Sequence, residues 1–249
     1  MKALRLGCLL ASCLLLAMPL IATANVVITG TRVIYQEKDR EVTVKLDNAG
    51  KQPALVQVWA DRGNAKASAS NADAPFLITP PIFRIEPGKG QTLRIIFTGE
   101  KLPMDRESVF WLNVLDIPPL PREQQDNFVQ LAIRSRIKIF YRPAKLAGSQ
   151  DDSAQGLQWT LRQQGDGLLL QASNPAPYHA SMNFAAIGIG GNEYRTDGGM
   201  VPPFGTATFK INGLQKIPSQ INYLHYESID DYGAIKILNG TLHSSTSPP

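Results

Sequence analysis

The sequence predicts an all-β protein built as two sandwich domains. Short apolar–polar alternations bounded by turn residues recur along the whole length, and no long apolar stripe of helical period interrupts them. A polar connection, Gly148-Ser149-Gln150-Asp151-Asp152-Ser153, divides the strands into two sets and has the composition of an exposed link.

Ahead of the strands, Lys2 and Arg5 precede an apolar run from Leu6 to Ile21 and a small-residue cleavage pattern, Ala22-Thr23-Ala24. Residues 1–24 therefore read as a signal peptide, with Asn25 as the first residue of the mature chain. The run is short of the roughly 20 apolar residues a spanning helix needs, and no later segment reads as a membrane span. The processed protein is expected in the periplasm or outside the cell, with no stable membrane insertion. Cleavage removes two positive charges, taking the formal net charge from +4 to 4 − 2 = +2. Both cysteines, Cys8 and Cys13, lie in the leader, so the mature chain has no disulfide in a compartment that permits one. Stability has to come from packed cores. The length left fits one large all-β domain or two ordinary ones, and composition does not choose.

In the first half, Val42, Val44 and Leu46 alternate with Thr43, Lys45 and Asp47, and Val56, Val58 and Ala60 alternate with Gln57 and Trp59. These read as neighbouring half-buried strands across a turn at Asn48-Ala49-Gly50. Glu86-Pro87-Gly88-Lys89-Gly90 is a turn leading into a strand with Leu93, Ile95 and Phe97. Val109 to Ile117 is nearly continuous in apolar residues and stops at Pro118-Pro119-Leu120-Pro121. A polar stretch, Arg122 to Asn127, then leads into the longest strand candidate, Phe128 to Tyr141. Beyond the connection, strands are expected at Leu157 to Leu161, Gly167 to Ala172, Met182 to Ile189, Ala207 to Ile211, Ile221 to Ser228 and Ala234 to Leu242. The division is 25–146 and 147–243, and residues 244–249 read as a disordered tail.

The Phe128 to Tyr141 run carries two faces. One parity holds Val129, Leu131, Ile133, Ser135, Ile137 and Ile139; the other holds Gln130, Ala132, Arg134, Arg136 and Lys138. Periodicity alone fits a strand packing its oily face on its own domain. Three separated segments add more: Thr31-Arg32-Val33-Ile34-Tyr35, the run Leu102-Pro103-Met104-Asp105-Arg106-Glu107-Ser108-Val109-Phe110-Trp111-Leu112-Asn113, and Ile137-Lys138-Ile139-Phe140-Tyr141-Arg142-Pro143. With Ile78-Thr79-Pro80-Pro81, Glu86-Pro87-Gly88, Asn174-Pro175-Ala176-Pro177-Tyr178 and Asp230-Asp231-Tyr232-Gly233, the chain resembles the PapD-like periplasmic pilus chaperones over nearly its whole mature length.

That resemblance implies two immunoglobulin-like β-sandwich domains in a boomerang arrangement. It implies pilus or fimbrial subunits and an outer-membrane usher as partners. The clients are sandwiches lacking a final strand, which the chaperone lends; the matching positions are Val129, Leu131 and Ile133. Arg32 and Lys138 match two cleft cations that clamp the client's terminal carboxylate. Glu107, Arg142 and Asp231 match a charge cluster between the domains. Lys138 is on the opposite parity from Ile133, which leaves open a bulge or bend between them. Thr79-Pro80 matches a position that is cis in relatives, against an ordinary extended default for an X-Pro bond. The short, cysteine-free connection before the lending strand resembles the subclass serving rod-like pili.

Other function classes find little support. His179, His225 and His243 are scattered and fall in no metal or nucleophile motif, and Gly188-Ile189-Gly190-Gly191 lacks the dinucleotide spacing. No catalytic residue, cofactor or metal site is assigned. Export and a near-neutral mature charge disfavour nucleic acid, although Arg134, Arg136 and Lys138 line one stripe. The remaining alternative is a secreted adhesive or sugar-binding sandwich using Trp59, Trp111 and Trp159, each of which sits in an alternating run and reads better as packing.

Overall fold

The computed structural model describes residues 25–120, 129–165, 167–214, 216–218 and 220–243. The leader, the polar 122–127 stretch with its neighbours Pro121 and Phe128, and the 244–249 tail lie outside the described residues. Among the described residues the regular structure is almost entirely strand, in four sheets. In the first half, β1 (Val26–Ile28), β3 (Val42–Asn48), β7 (Gly90–Phe97) and β5 (Phe76–Thr79) form one sheet in the order β1-β3-β7-β5. The facing sheet contains β2 (Arg32–Gln36), β9 (Ile133–Arg142), β8 (Ser108–Ile117), β4 (Ala54–Asp61) and β6 (Ile82–Ile85), in the order β2-β9-β8-β4-β6.

The alternation of β3 and β4 buries Val44, Leu46, Val56 and Val58 in one core with Leu93, Ile95, Leu112 and Ile139. β3 and β4 are neighbours across that core, not edge to edge, because the chain changes sheet between them. Asn48 shapes the change: its Nδ2 donates to Gln52 O and Ile85 O, and its Oδ1 accepts from Gly50 N. One end of the sandwich is aromatic, with Tyr35, Phe76, Phe97, Phe110 and Tyr141 in mutual ring contact. The Tyr35 hydroxyl donates to Arg40 O and accepts from Phe97 N, so the buried phenol is fully satisfied. The Thr79–Pro80 peptide is cis.

The expected link at Gly148–Ser153 is instead a short helix, α1 (Gln150–Gln155). Ser149 caps it by accepting from Asp152 N, and Asp151 and Asp152 sit in its first turn, where acidic groups suit the helix dipole. The cap signal is present in Ser149-Gln150-Asp151-Asp152, but the polar composition masks it. Gln150, Ser153 and Ala154 are buried, and Tyr226 Oη donates to Ala154 O.

The second half repeats the two-layer plan. β15 (Gly205–Lys210), β11 (Gly167–Asn174), β10 (Gln158–Gln164) and β18 (Leu242–His243) form one sheet. β13 (Asn192–Arg195), β12 (Ala180–Ile189), β16 (Tyr223–Ile229) and β17 (Ile235–Asn239) form the other, with β14 (Gly199–Val201) also on β12. Trp159 and Tyr226 pack together at the centre, their ring centroids 5.0 Å apart, among Leu168, Leu170, Ile187 and Ile211. The expected single strand Ala234 to Leu242 is split, because at Gly240 the chain crosses from one sheet to the other. A methyl group there would collide with Leu224 and the Trp159 ring, so the crossing needs a residue without a side chain. Among the described residues no helix is long and apolar enough to cross a membrane.

Candidate functional site

β9 is the element on which the candidate residues meet. On one side it pairs antiparallel with β8 in unbroken register, from Ser108↔Tyr141 to Asp116↔Ile133. No bulge is present: Ile137 and Ile139 face the core while Arg134, Arg136 and Lys138 face outward, so Ile133 and Lys138 lie on opposite faces of a regular strand. On its other side β9 is covered, among the described residues, by β2 alone, which runs parallel and begins at Arg32↔Lys138. Upstream of Lys138 that edge has no neighbour among the described residues.

The strand begins at Ile133, five residues later than the alternation suggests. β8 ends at Ile117, and Pro118-Pro119 has no N–H groups to continue the ladder. Val129 to Ala132 consequently have no strand partner among the described residues; a contact from Gln130 Nε2 to Pro118 O ties the segment down. Val129, Leu131 and Ile133 are 84%, 71% and 53% exposed. Three aliphatic residues in sequence alternation thus stand in water on a strand extension that no described residue completes.

Arg32 and Lys138, far apart in sequence, are register partners where the open edge stops. Arg32 Nη1 donates to Ile229 O of the second domain at 3.0 Å, while its buried Nε has no hydrogen-bond partner among the described residues. Burial lowers the Arg32 pKa, against the opposing pull of Asp231, Asp230 and Glu107. Lys138 lies over the Trp111 ring at 5.6 Å, and burial, then the Arg32 charge, hold its ammonium below the usual lysine range. Two cations sharing a partly dry corner form a site whose electrostatics favour an anion.

Arg142 sits four residues further along the same face. Its Nε and Nη2 donate to Glu107 Oε1 at 3.0 and 2.8 Å, and Nη1 and Nη2 donate to Asp231 Oδ2 and Oδ1 at 2.7 and 2.9 Å. Burial pulls the Arg142 pKa down, but the hydrogen bonds and charges of Asp231 and Glu107 outweigh it and leave it raised. Glu107 comes from the first domain and Asp231 from the second, so one guanidinium joins both. His179, which sequence reasoning leaves among scattered histidines, belongs to this cluster. Its backbone N–H donates to Glu107 Oε2 at 2.9 Å, and its Nδ1 lies 2.8 Å from the same oxygen.

A second network is also missing from the sequence reading. Asp61, fully buried at the end of β4, accepts from Asn113 Nδ2 and Arg136 Nη2, each at 2.7 Å, and Arg134 Nε donates to Asn113 Oδ1. Arg134 covers Trp59, and Arg136 covers Trp111. A carboxylate closing an apolar strand, beside a strand with a cationic stripe, is the signal that would have paired them. Trp59 and Trp159 are buried, so they offer no open platform for a sugar ring.

The two sandwiches, with an open strand edge beside paired cations, have the architecture of a binding protein. Residues 25–147 match the family of pili and flagellar-assembly chaperones, PapD N-terminal domain, and residues 152–239 match the pili assembly chaperone PapD, C-terminal domain. The chain therefore belongs to the PapD-like pilus-assembly chaperones. It is 42% identical to the chaperone protein FimB/FhaD of Bordetella pertussis, across 86% of each chain. It is 39% identical to the probable fimbrial chaperone YadV of Escherichia coli, across 84% of this chain and 87% of that one. The crystal structure of the YadV chaperone superposes with a TM-score of 0.75 over 87% of this chain and 98% of that one, at 38% identity. The Salmonella enterica SafB chaperone, solved in complex with SafA pilin, gives a TM-score of 0.70 at 29% identity, over 90% of this chain and 97% of that one.

Proposed function

We propose that this chain is a periplasmic chaperone that lends its β9 edge to pilus subunits lacking a final strand and passes them to an outer-membrane usher. It acts by stoichiometric binding, without catalysis or a cofactor. The observation that carries the reading is the lane beside β9: β2 fills it from Lys138 onward and leaves it vacant upstream among the described residues. A client strand entering that lane parallel to β9 ends where β2 begins, which brings its terminal carboxylate between Arg32 and Lys138. Main-chain groups along the edge give affinity with little demand on client sequence. Val129, Leu131 and Ile133 enter the client's groove, and burying each is worth about 1.5–3 kcal/mol before the cost of ordering the segment. The clamp sets register, since a slip of one residue turns all three side chains away from the groove.

The chain is assigned a leader at 1–24, a lending domain at 25–146 and a second domain at 147–243. Glu107, Arg142 and Asp231 act structurally, fixing the angle between the domains through charge-assisted hydrogen bonds. Coexpression with a pilus subunit and co-purification from the periplasm tests the assignment. Wild type recovers the subunit, whereas the Arg32→Ala, Lys138→Ala double variant loses it; equal recovery removes the clamp role. Leu131→Glu, at an exposed position, leaves the fold intact and abolishes capture. A Leu131→Glu chain that still shields subunits from proteolysis disproves the lent strand.

A further inference from the structure

The second domain presents an apolar strip that its own fold does not use. β17 is the outermost strand of its sheet, paired with β16 on one side and with nothing on the other among the described residues. Leu224, Tyr226 and Ser228 of β16 point into the domain, so Ile229 and Glu227 point out. Their cross-strand partners, Ile235 and Ile237, point out with them. Ile235 is 55% exposed, Ile237 71%, and Tyr232 in the connecting turn 93%. None of the three belongs to the second core. β17 is held instead by its ladder to β16, by Leu238 against the core, and by Lys236, whose Nζ reaches Asp151 Oδ2 at 2.7 Å and Asp230 Oδ2 at 3.7 Å. Solvent-facing positions of an edge strand ordinarily carry charge, which discourages other chains from pairing there. Two isoleucines in those positions do the opposite.

The position of the strip identifies what covers it. The β16–β17 turn lies against Thr31, the residue before Arg32, so closely that a methyl on Gly233 would meet the Thr31 hydroxyl. Ile229, directly opposite Ile235, supplies the carbonyl that accepts from Arg32. The outward face of β16 and β17 therefore begins at the residue that closes the vacant lane beside β9. A subunit whose last strand ends at Arg32 and Lys138 therefore has its terminus at the near end of this face.

We infer that Ile235 and Ile237, with Tyr232 at the near end, form a second docking surface for the same pilus subunit. They take an apolar patch on the folded body of the subunit, whereas β9 takes its groove. The inference rests on the lent-strand reading, and the two are separable by probe. One probe is a synthetic peptide of the subunit's last strand with a free carboxylate, which reaches only the lane. The other is the whole subunit, which reaches both surfaces. Full-length mature chaperone carrying Ile237→Asp, or Ile235→Ser with Ile237→Ser should the charge disturb folding, is titrated with each, and thermal unfolding checks the fold.

The expected result is a Kd for the whole subunit raised about tenfold with the peptide Kd unchanged, a loss in keeping with one exposed aliphatic anchor. An unchanged Kd for the whole subunit overturns the inference. Equal weakening for both probes also overturns it, because β17 then acts through the lane. Leu131→Glu run in parallel reports on the lent strand alone: because Leu131 enters the subunit's groove and the peptide has none, loss of the whole subunit with the peptide retained supports that reading whatever β17 does, and retention of the whole subunit refutes it.

Discussion

At the scale of single residues, the proposed clamp sets function against stability. Lys138 is held below its usual pKa by burial and by Arg32, so the unfolded chain binds more protons there than the folded one. The sign follows: the cost to folding is present below the depressed pKa and is relieved as pH rises through it toward the unfolded value. Lys138→Met should therefore raise the thermal midpoint, by about 2–4 °C for each kcal/mol relieved, while subunit capture falls. Binding runs the other way. A carboxylate beside Lys138 raises its pKa, so the clamp's contribution is complete below the free chain's Lys138 pKa and declines as pH climbs toward the bound value. Titrating a carboxylate-ended and an amide-ended peptide across alkaline pH checks this; equal pH dependence of the two would falsify the clamp.

At the scale of elements, the alternating strands were legible because half-buried sheets impose period two directly on sequence, as in β3, β4 and β11. What was not legible depended on partners distant in sequence. The start of β9 is set by the prolines that end β8, and the break between β17 and β18 by the space Leu224 and Trp159 leave at residue 240. α1 hid behind a composition that suits links and capped helices equally. Within the candidate site, Arg32, Lys138, Glu107, Arg142 and Asp231 were named through family resemblance. His179 was passed over because a lone histidine carries no pattern, and Asp61 because the cationic stripe that pairs it lies more than 70 residues away in sequence. Gly240→Ala should overpack the sheet crossing and lower stability by about 1–3 kcal/mol, read as a lower denaturant midpoint. Peptide binding through β9 should persist at low denaturant, since the crossing is in the other domain.

At the scale of the molecule, the Arg142 cluster couples the two sandwiches with mostly buried partners. Removing the guanidinium leaves the buried Glu107 carboxylate with His179 alone, its Oε1 without a partner, and breaking a buried pair in this way typically costs about 3–5 kcal/mol. Partial exposure of Asp231 places the expected loss for Arg142→Ala toward the lower end. Scanning calorimetry should show one transition in the wild type resolving into two, one per sandwich, in the variant. A single transition merely shifted downward would show that the domains unfold together without this contact.

The vacant lane beside β9 also has a definite length. From Ile133, where β9 begins, to Lys138, where β2 closes the lane, the strand advances five residues, about 17 Å at the usual strand rise. A closed end and a fixed span make the lane a ruler. On the lent-strand reading, a subunit is accepted when the stretch between its terminus and the far end of its groove has the right measure, whatever its sequence elsewhere, and one residue too many or too few turns the wrong face along the groove.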